Sequence, residues 1–329
     1  MSKSMRPDSS AASSPGDASR PHGFTPAEAP IRIGLALSGG ATKAVAHVGV
    51  LKALAESGIV VESLTGTSGG SIVAALFATG RTIPELERIA LSMSWKQMAQ
   101  VTFSRLGFLS SDRIERYLVS VMGDVRFEDL ALPLAVVATN LVTGRAHVFR
   151  HGRVALACRA SCSIPQIYKP VEIDGEYFVD GGLVEELPLA ALRSEFAPSI
   201  AVGVNLVAEG GGFKRPRHVF HLAWRLGVIV SRASARAMEQ YGDVIVRPQL
   251  EKYSGAHFRA IPEMMDEGYR SGLAAADEIK AWMRAHDGAA HAPSATNAVT
   301  PTTGRTPGAL SESRRAFGTP PLILPPGGA

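Results

Sequence analysis

Two cysteines in 329 residues, Cys158 and Cys162, are too few for a disulfide framework and point to a reducing compartment. Long apolar runs are also missing. Stretches such as Ile72 to Ala78 fall well short of the ~18 residues that a membrane-spanning helix needs. The N-terminal segment MSKSMRPDSSAASSPGDASRP contains no apolar h-region, so no secretory signal is expected there. Charge is scarce: 19% of residues are charged, and 34 Lys and Arg against 30 Asp and Glu leave a net +4. With no Lys/Arg block among them, no nucleic-acid partner is expected. The 33 glycines follow no collagen-like period. The expected location is the cytoplasm, with peripheral contact at a membrane surface as an addition.

What is present is a globular composition, with hydrophobic residues at 46% of the chain, enough to bury one large core. Residues 1–30 and 287–329 are rich in Ser, Ala, Thr, Pro and Gly and show no apolar period. They are expected to be a disordered N-terminal arm and C-terminal tail around one domain at 31–286. Inside that domain short β-branched runs alternate with helical stretches. The pattern predicts an α/β fold, a mostly parallel central sheet covered by helices on both faces. Expected strands are 31–37, 59–64, 134–139, 146–150, 177–179, 200–206 and 244–247. Expected helices are 44–57, closed by Gly58, then 71–79, 112–122, 219–240 and 262–284.

One motif carries chemistry. Gly66, Ser68 and Gly70 satisfy G-x-S-x-G between an expected strand and an apolar helix. In such an elbow, side chains two residues either side of the serine would collide where strand and helix approach. The helix N-terminus then favours negative charge at the turn. A Gly/Ser-rich loop or a phosphate cradle has the same letters, so the motif alone leaves catalysis open. The first βα loop, Ser38-Gly39-Gly40-Ala41-Thr42-Lys43-Ala44, is expected beside it, at the carboxyl ends of neighbouring strands. Its small residues let backbone N–H groups approach an oxyanion. Lys43 opposes the helix dipole there or simply extends into water. Neither G-x-G-x-x-G nor a P-loop is present in this loop, and no cofactor is expected.

A serine nucleophile needs a base. In the order Ser, Asp, His the imidazole would be His218, His221 or His257, each in a setting that reads better as surface or packing. His47 reads as a core histidine. Asp180, followed by Gly181 and Gly182 at a strand end, is the other candidate, although Asp-Gly-Gly is also ordinary turn chemistry.

Three segments in order alter that balance: LALSGGATKAVAHVGVLKAL, GTSGG, and ASCSIPQIYKPVEIDGEYFVDGG, which includes Ala160 to Pro165. Along most of 31–206 the chain resembles the patatin-like phospholipase family, particularly its bacterial members. The resemblance implies a three-layer α/β sandwich and a serine hydrolase cleaving fatty acyl esters of lipids with a Ser-Asp dyad and no histidine. It implies Ser68 as nucleophile, Asp180 as general base and later acid, and the amides of Gly39, Gly40 and Ala41 as oxyanion hole, with Lys43, Gly66, Gly70, Gly181 and Gly182 in support. An unperturbed aspartate is a weak base, so desolvation must raise its pKa. Ala41 and Ala44 depart from the family pattern G-G-G-x-[KR]-G. If either position needs φ > 0, alanine is strained there, and a catalytically attenuated lipid-binding scaffold becomes the alternative.

The segment Val219 to Val230, with Trp224 and followed by Arg232 and Arg236, reads first as a core helix packed on the sheet. Its other reading is an acyl-chain cleft or a contact with a lipid surface. Cys158 and Cys162 lie four apart on an expected helix without a matching pair, which speaks for reduced core thiols and against zinc.

Overall fold

A computed structural model describes residues 30–94, 100–104, 107–207, 215–254 and 256–290. The expected arm and tail fall outside these residues, apart from residue 30 and the end of the last helix. The strands are β1 (Ile33–Leu37), β2 (Ser63–Thr67), β3 (Gln100–Ser104), β4 (Gly107–Ser110), β5 (Leu134–Asn140), β6 (Ala146–Phe149), β7 (Val171–Ile173), β8 (Glu176–Asp180), β9 (Ile200–Val204) and β10 (Val244–Val246). The helices are α1 (Ala46–Glu56), α2 (Gly69–Ala78), α3 (Ile83–Ser92), α4 (Asp112–Met122), α5 (Val154–Ser161), α6 (Leu189–Phe196), α7 (Val219–Met238) and α8 (Ile261–Ala290).

An eight-stranded sheet runs in the order β10-β9-β1-β2-β5-β8-β7, with β6 also paired to β5. The five strands from β10 to β5 are parallel; β6, β7 and β8 are antiparallel to their neighbours. The fold is therefore the mostly parallel α/β sandwich read from the sequence. Alternate residues of β1 serve opposite faces. Ile33, Leu35 and Leu37 enter the large core formed with α1, α2 and α8, whereas Ala36 joins Leu187, Leu189 and Leu192 beneath α6. The α6 face is built from small residues, which lets the helix approach closely. A Cβ on Gly34 would lie 2.9 Å from Pro198, and one on Gly203 would lie 2.9 Å from Leu189.

One expected strand is displaced. Ile59 and Val61 are buried, but the strand begins at Ser63 and runs to Thr67, paired with β1 and β5 on its two edges. Thr65 and Gly66 have little β-forming character of their own; two neighbouring strands enforce it.

The register on β5 positions the site. Residues 134–137 pair with β2, and 138–140 pair with β8. Because β6 pairs with residues 136–139 and a strand has two edges, β2 and β8 share the remaining edge end to end. Thr67 sits opposite Val137 and Asp180 opposite Ala138. The residue after β2 and the last residue of β8 are thereby brought face to face.

The helix expected at 219–230 as core is not core. Of α7 only Ala235 is buried, and Val219, Leu222, Leu226, Ile229 and Val230 are exposed. The apolar residues form a stripe, but the helix packs on the domain mainly near residues 231–235, where Ser231, Ser234 and Ala235 meet the segment after β8. Cys158 and Cys162 are buried free thiols, as expected. Burial pushes Cys158 up to about 12 and Cys162 well above the ordinary thiol range, so neither carries a thiolate at neutral pH. No helix among the described residues is long and apolar enough to cross a membrane.

Candidate active site

Ser68 occupies the turn between β2 and α2 with φ 50° and ψ −129°. That conformation costs a residue with a Cβ roughly 1–3 kcal/mol and persists because its surroundings hold it. A Cβ on Gly66 would lie 2.5 Å from Ser71 Cα, and one on Gly70 would run into the Leu37 and Ser38 carbonyls. The Ser68 amide donates to Ser161 Oγ at 2.8 Å, and that hydroxyl donates to the Val137 carbonyl at 2.6 Å. Ser161 thus ties the elbow to β5.

Asp180 ends β8. Its Oδ2 accepts a hydrogen bond from Ser68 Oγ at 2.7 Å, and its Oδ1 accepts one from the Gly182 amide at 2.8 Å. The Asp180 main chain is fixed as well: its amide donates to the Ser163 carbonyl and its carbonyl accepts from Thr139 Oγ1. A Cβ on Gly181 would strike the Val137 carbonyl, so the turn after the aspartate must be bare. Burial pushes the carboxyl up to about 6, against the pull of the Ser68 and Gly182 hydrogen bonds. A carboxyl raised toward neutral pH is what a proton acceptor from a hydroxyl requires.

The first loop lies on the elbow, since a Cβ on Gly39 would be 3.1 Å from Ser68 Cβ. Its amides are not equivalent. Gly39 N–H donates to the Glu186 carbonyl at 3.2 Å, whereas the Gly40 and Ala41 amides have no hydrogen-bond acceptor among the described residues. Ala41 takes φ 50° and Ala44 does not have positive φ, so of the two departures from the family pattern only Ala41 is strained, by roughly 1 kcal/mol. Lys43 is half-buried and its ammonium is pushed down by desolvation, with Glu251 opposing and Arg232 adding. The charges acting on it are those of Glu251 and Arg232, not that of Asp180.

The histidines weighed as a triad base are engaged elsewhere. His218 Nδ1 accepts from the His221 amide at the start of α7, and His257 Nδ1 accepts from the Ser254 amide. His47 is fully buried and pushed down to about 4 by desolvation; as a neutral ring it donates from Nε2 to the Ser38 carbonyl at 2.8 Å, bracing the first loop. A cavity of about 480 Å³ opens at Ser68, lined by apolar groups including Ala41, Ile72, Leu86, Met93, Ile164 and Trp224. Its size falls in the ~300–1,000 Å³ range of small-molecule pockets.

Residues 35–193 match the family model described as patatin-like phospholipase. The chain carries a patatin-like phospholipase domain. An uncharacterized NTE family protein of Mycobacterium tuberculosis is 34% identical over 178 residues, covering 53% of this chain and 49% of that protein. Lysophospholipase NTE1 of Saccharomyces cerevisiae is 27% identical over 266 residues, 72% of this chain and 16% of that protein. The chain therefore spans about half the length of the mycobacterial relatives and a much smaller share of NTE1. Among solved structures, VipD from Legionella pneumophila superposes with TM-score 0.57 at 14% identity, over 76% of this chain and 67% of that one, a likeness of fold.

Two groups of the patatin-like domain contact Ser68, Asp180 or their loops without having been singled out in the sequence. Ser161 belongs to the A-S-x-S-I-P segment, whose role became visible only through its bonds to Ser68 and Val137. Glu186, in Val184-Glu185-Glu186-Leu187, belongs to no motif in the sequence, yet it is 5% exposed.

Proposed function

We propose that this domain is a lipid acyl hydrolase working through a covalent acyl-enzyme. Ser68 Oγ attacks the ester carbonyl while Asp180 takes its proton. The Gly40 and Ala41 amides, with the α2 N-terminus, stabilise the oxyanion. Collapse of the tetrahedral intermediate breaks the ester C–O bond, and Asp180 gives the proton to the departing alcohol or lysolipid. Asp180 then deprotonates a water molecule, which attacks the acyl-serine; the acyl C–Oγ bond breaks, the fatty acid leaves and Asp180 returns the proton to Ser68 Oγ. The observation that carries this reading is the 2.7 Å contact from Ser68 Oγ to Asp180 Oδ2 at the mouth of an apolar cavity. The same contact and the two open amides favour turnover over a binding-only scaffold.

The apolar cavity suits an acyl chain, and α7 suits the surface from which it comes. Val219, Leu222, Leu226 and Ile229 form an exposed stripe at helical spacing, and Trp224 of the same helix lines the cavity. Between Arg215 and Met238 there are five arginines and no acidic residue. That charge and that stripe fit the headgroup region of an anionic membrane.

A fluorophosphonate probe should label Ser68. Ser68→Ala and Asp180→Asn should each lower turnover of a soluble short-chain ester by ~10³-fold or more with unchanged thermal unfolding. Full turnover in Asp180→Asn would overturn the dyad.

A further inference from the structure

Glu186 is the buried group at the site that the reaction above leaves unused. Its carboxyl fills the space between the two loops that build the site. A Cβ on Gly39 would lie 2.5 Å from Oε1; one on Gly182 would run into Oε2 and lie 3.1 Å from Asp180 Oδ1. The two carboxyls thus converge on one point at Gly182, the glycine whose amide holds Asp180. The Glu186 main chain meets the first loop through the bond from Gly39 N–H. Helix α7 holds the residue from the other side: Ser231 hydrogen-bonds the carboxyl, and Ser234 Oγ accepts from the Glu186 amide at 3.0 Å.

Charged groups on the surrounding elements include Glu185, Lys43 and Arg232. Glu185 directs Oε1 to the Ala191 amide. Lys43 of the first loop and Arg232 of α7 act on one another beside Glu251. The charge acting on Glu186 is that of Asp180.

We propose that Glu186 is a positioning residue that keeps Asp180 able to act as a base by carrying the single proton of a buried carboxyl pair. The inference rests on the Ser68–Asp180 reading. Two desolvated carboxylates side by side do not readily ionise together. Burial pushes Asp180 up to about 6 and Glu186 up to about 8, the latter also through the Asp180 charge. Between those values the pair holds one proton on Glu186 and one charge on Asp180, against Ser68 Oγ. Below about 6 Asp180 becomes protonated and cannot accept from the serine. Above about 8 Glu186 ionises, and its charge opposes the oxyanion that forms beside the first loop. Turnover therefore rises with pH near 6 and falls near 8.

The test is the pH profile for hydrolysis of a soluble short-chain ester by the native chain and by Glu186→Gln, with folding followed by circular dichroism at each pH. The glutamine stays neutral, so the variant should keep the rise near 6 and lack the fall near 8. A variant that keeps the alkaline fall while folded overturns the proposal. Should Glu186→Gln fail to fold, infrared spectra of glutamate-labelled protein decide. Glu185 and Glu186 are the two buried glutamates among the described residues, so the spectra are taken in Glu185→Gln. A protonated glutamate band at pH 7 that disappears near 8 supports the assignment, and its absence at pH 7 refutes it. Asp180→Asn, assayed alongside, separates the two failures: turnover retained there removes the dyad, whereas the infrared band reports on Glu186 regardless.

Discussion

Helices α2 and α7 are both written largely in Ile, Val, Leu and Ala, yet they occupy opposite environments. In α2 every residue but Phe77 is buried, whereas in α7 only Ala235 is. The difference lies in their attachments. α2 springs from the central strand β2, and Gly69 and Gly70 let its first turn touch the main chain of the first loop. α7 is attached mainly near residues 231–235, through Ser231, Ser234 and Ala235. Arg225, Arg232 and Arg236 recur along it at i, i+7 and i+11, so one side of the helix requires a polar setting even though the adjacent stripe does not. Apolar composition therefore says that a surface will be covered; topology decides whether the cover is the protein's own core.

The sharpest way to break the comparison is at the glycines. Gly70→Ala places a methyl group against the Leu37 and Ser38 carbonyls, where backbone must move, and should destabilise the domain by ~3 kcal/mol or more in chemical denaturation. A smaller effect is expected on the α7 stripe. Leu226→Glu exposes no core, so its thermal midpoint should match the native chain. Partitioning onto anionic vesicles should fall by about tenfold or more, since a buried leucine contributes ~1.5–3 kcal/mol. Equal binding by native and variant protein would remove α7 as the membrane contact. The smallest effect is the reverse of the first. A Cβ at Gly227 meets nothing within 4 Å, and Gly227→Ala should stabilise the protein by up to ~1 kcal/mol through helix propensity. A loss there instead would mean that α7 is packed more tightly than its exposure indicates.

Much of this was legible from local pattern. Gly66, Ser68 and Gly70 announce an elbow because the steric demand sits within five residues, and the β-branched runs of β1, β5 and β9 announce buried strands. The start of β2 was misread because Ser63, Thr65 and Gly66 are strand residues only between two partners. The short β7 and the helix α6 carry too few periodic residues to stand out from the chain around them, whereas α3 was missed although Ile83, Leu86, Ile89 and Ala90 recur at helical spacing behind a Thr82–Glu85 capping box. Three donors were expected from Gly39, Gly40 and Ala41, but the Gly39 amide goes to a carbonyl 147 positions away, a partner that no loop sequence reveals. The strain expected at Ala41 or Ala44 falls on Ala41 alone.

By itself the sequence determined a tight turn carrying a serine, a second turn carrying an aspartate, and an apolar chain able to cover a parallel sheet. These follow from sterics and hydrophobic period, which act over a few residues. Only the tertiary structure decided that β2 and β8 meet end to end along β5, that burial pushes the Asp180 carboxyl up to about 6, and that Glu186 shares its burial. Strand register and local dielectric are set by groups far apart in the chain, so they exist only once the sheet has formed.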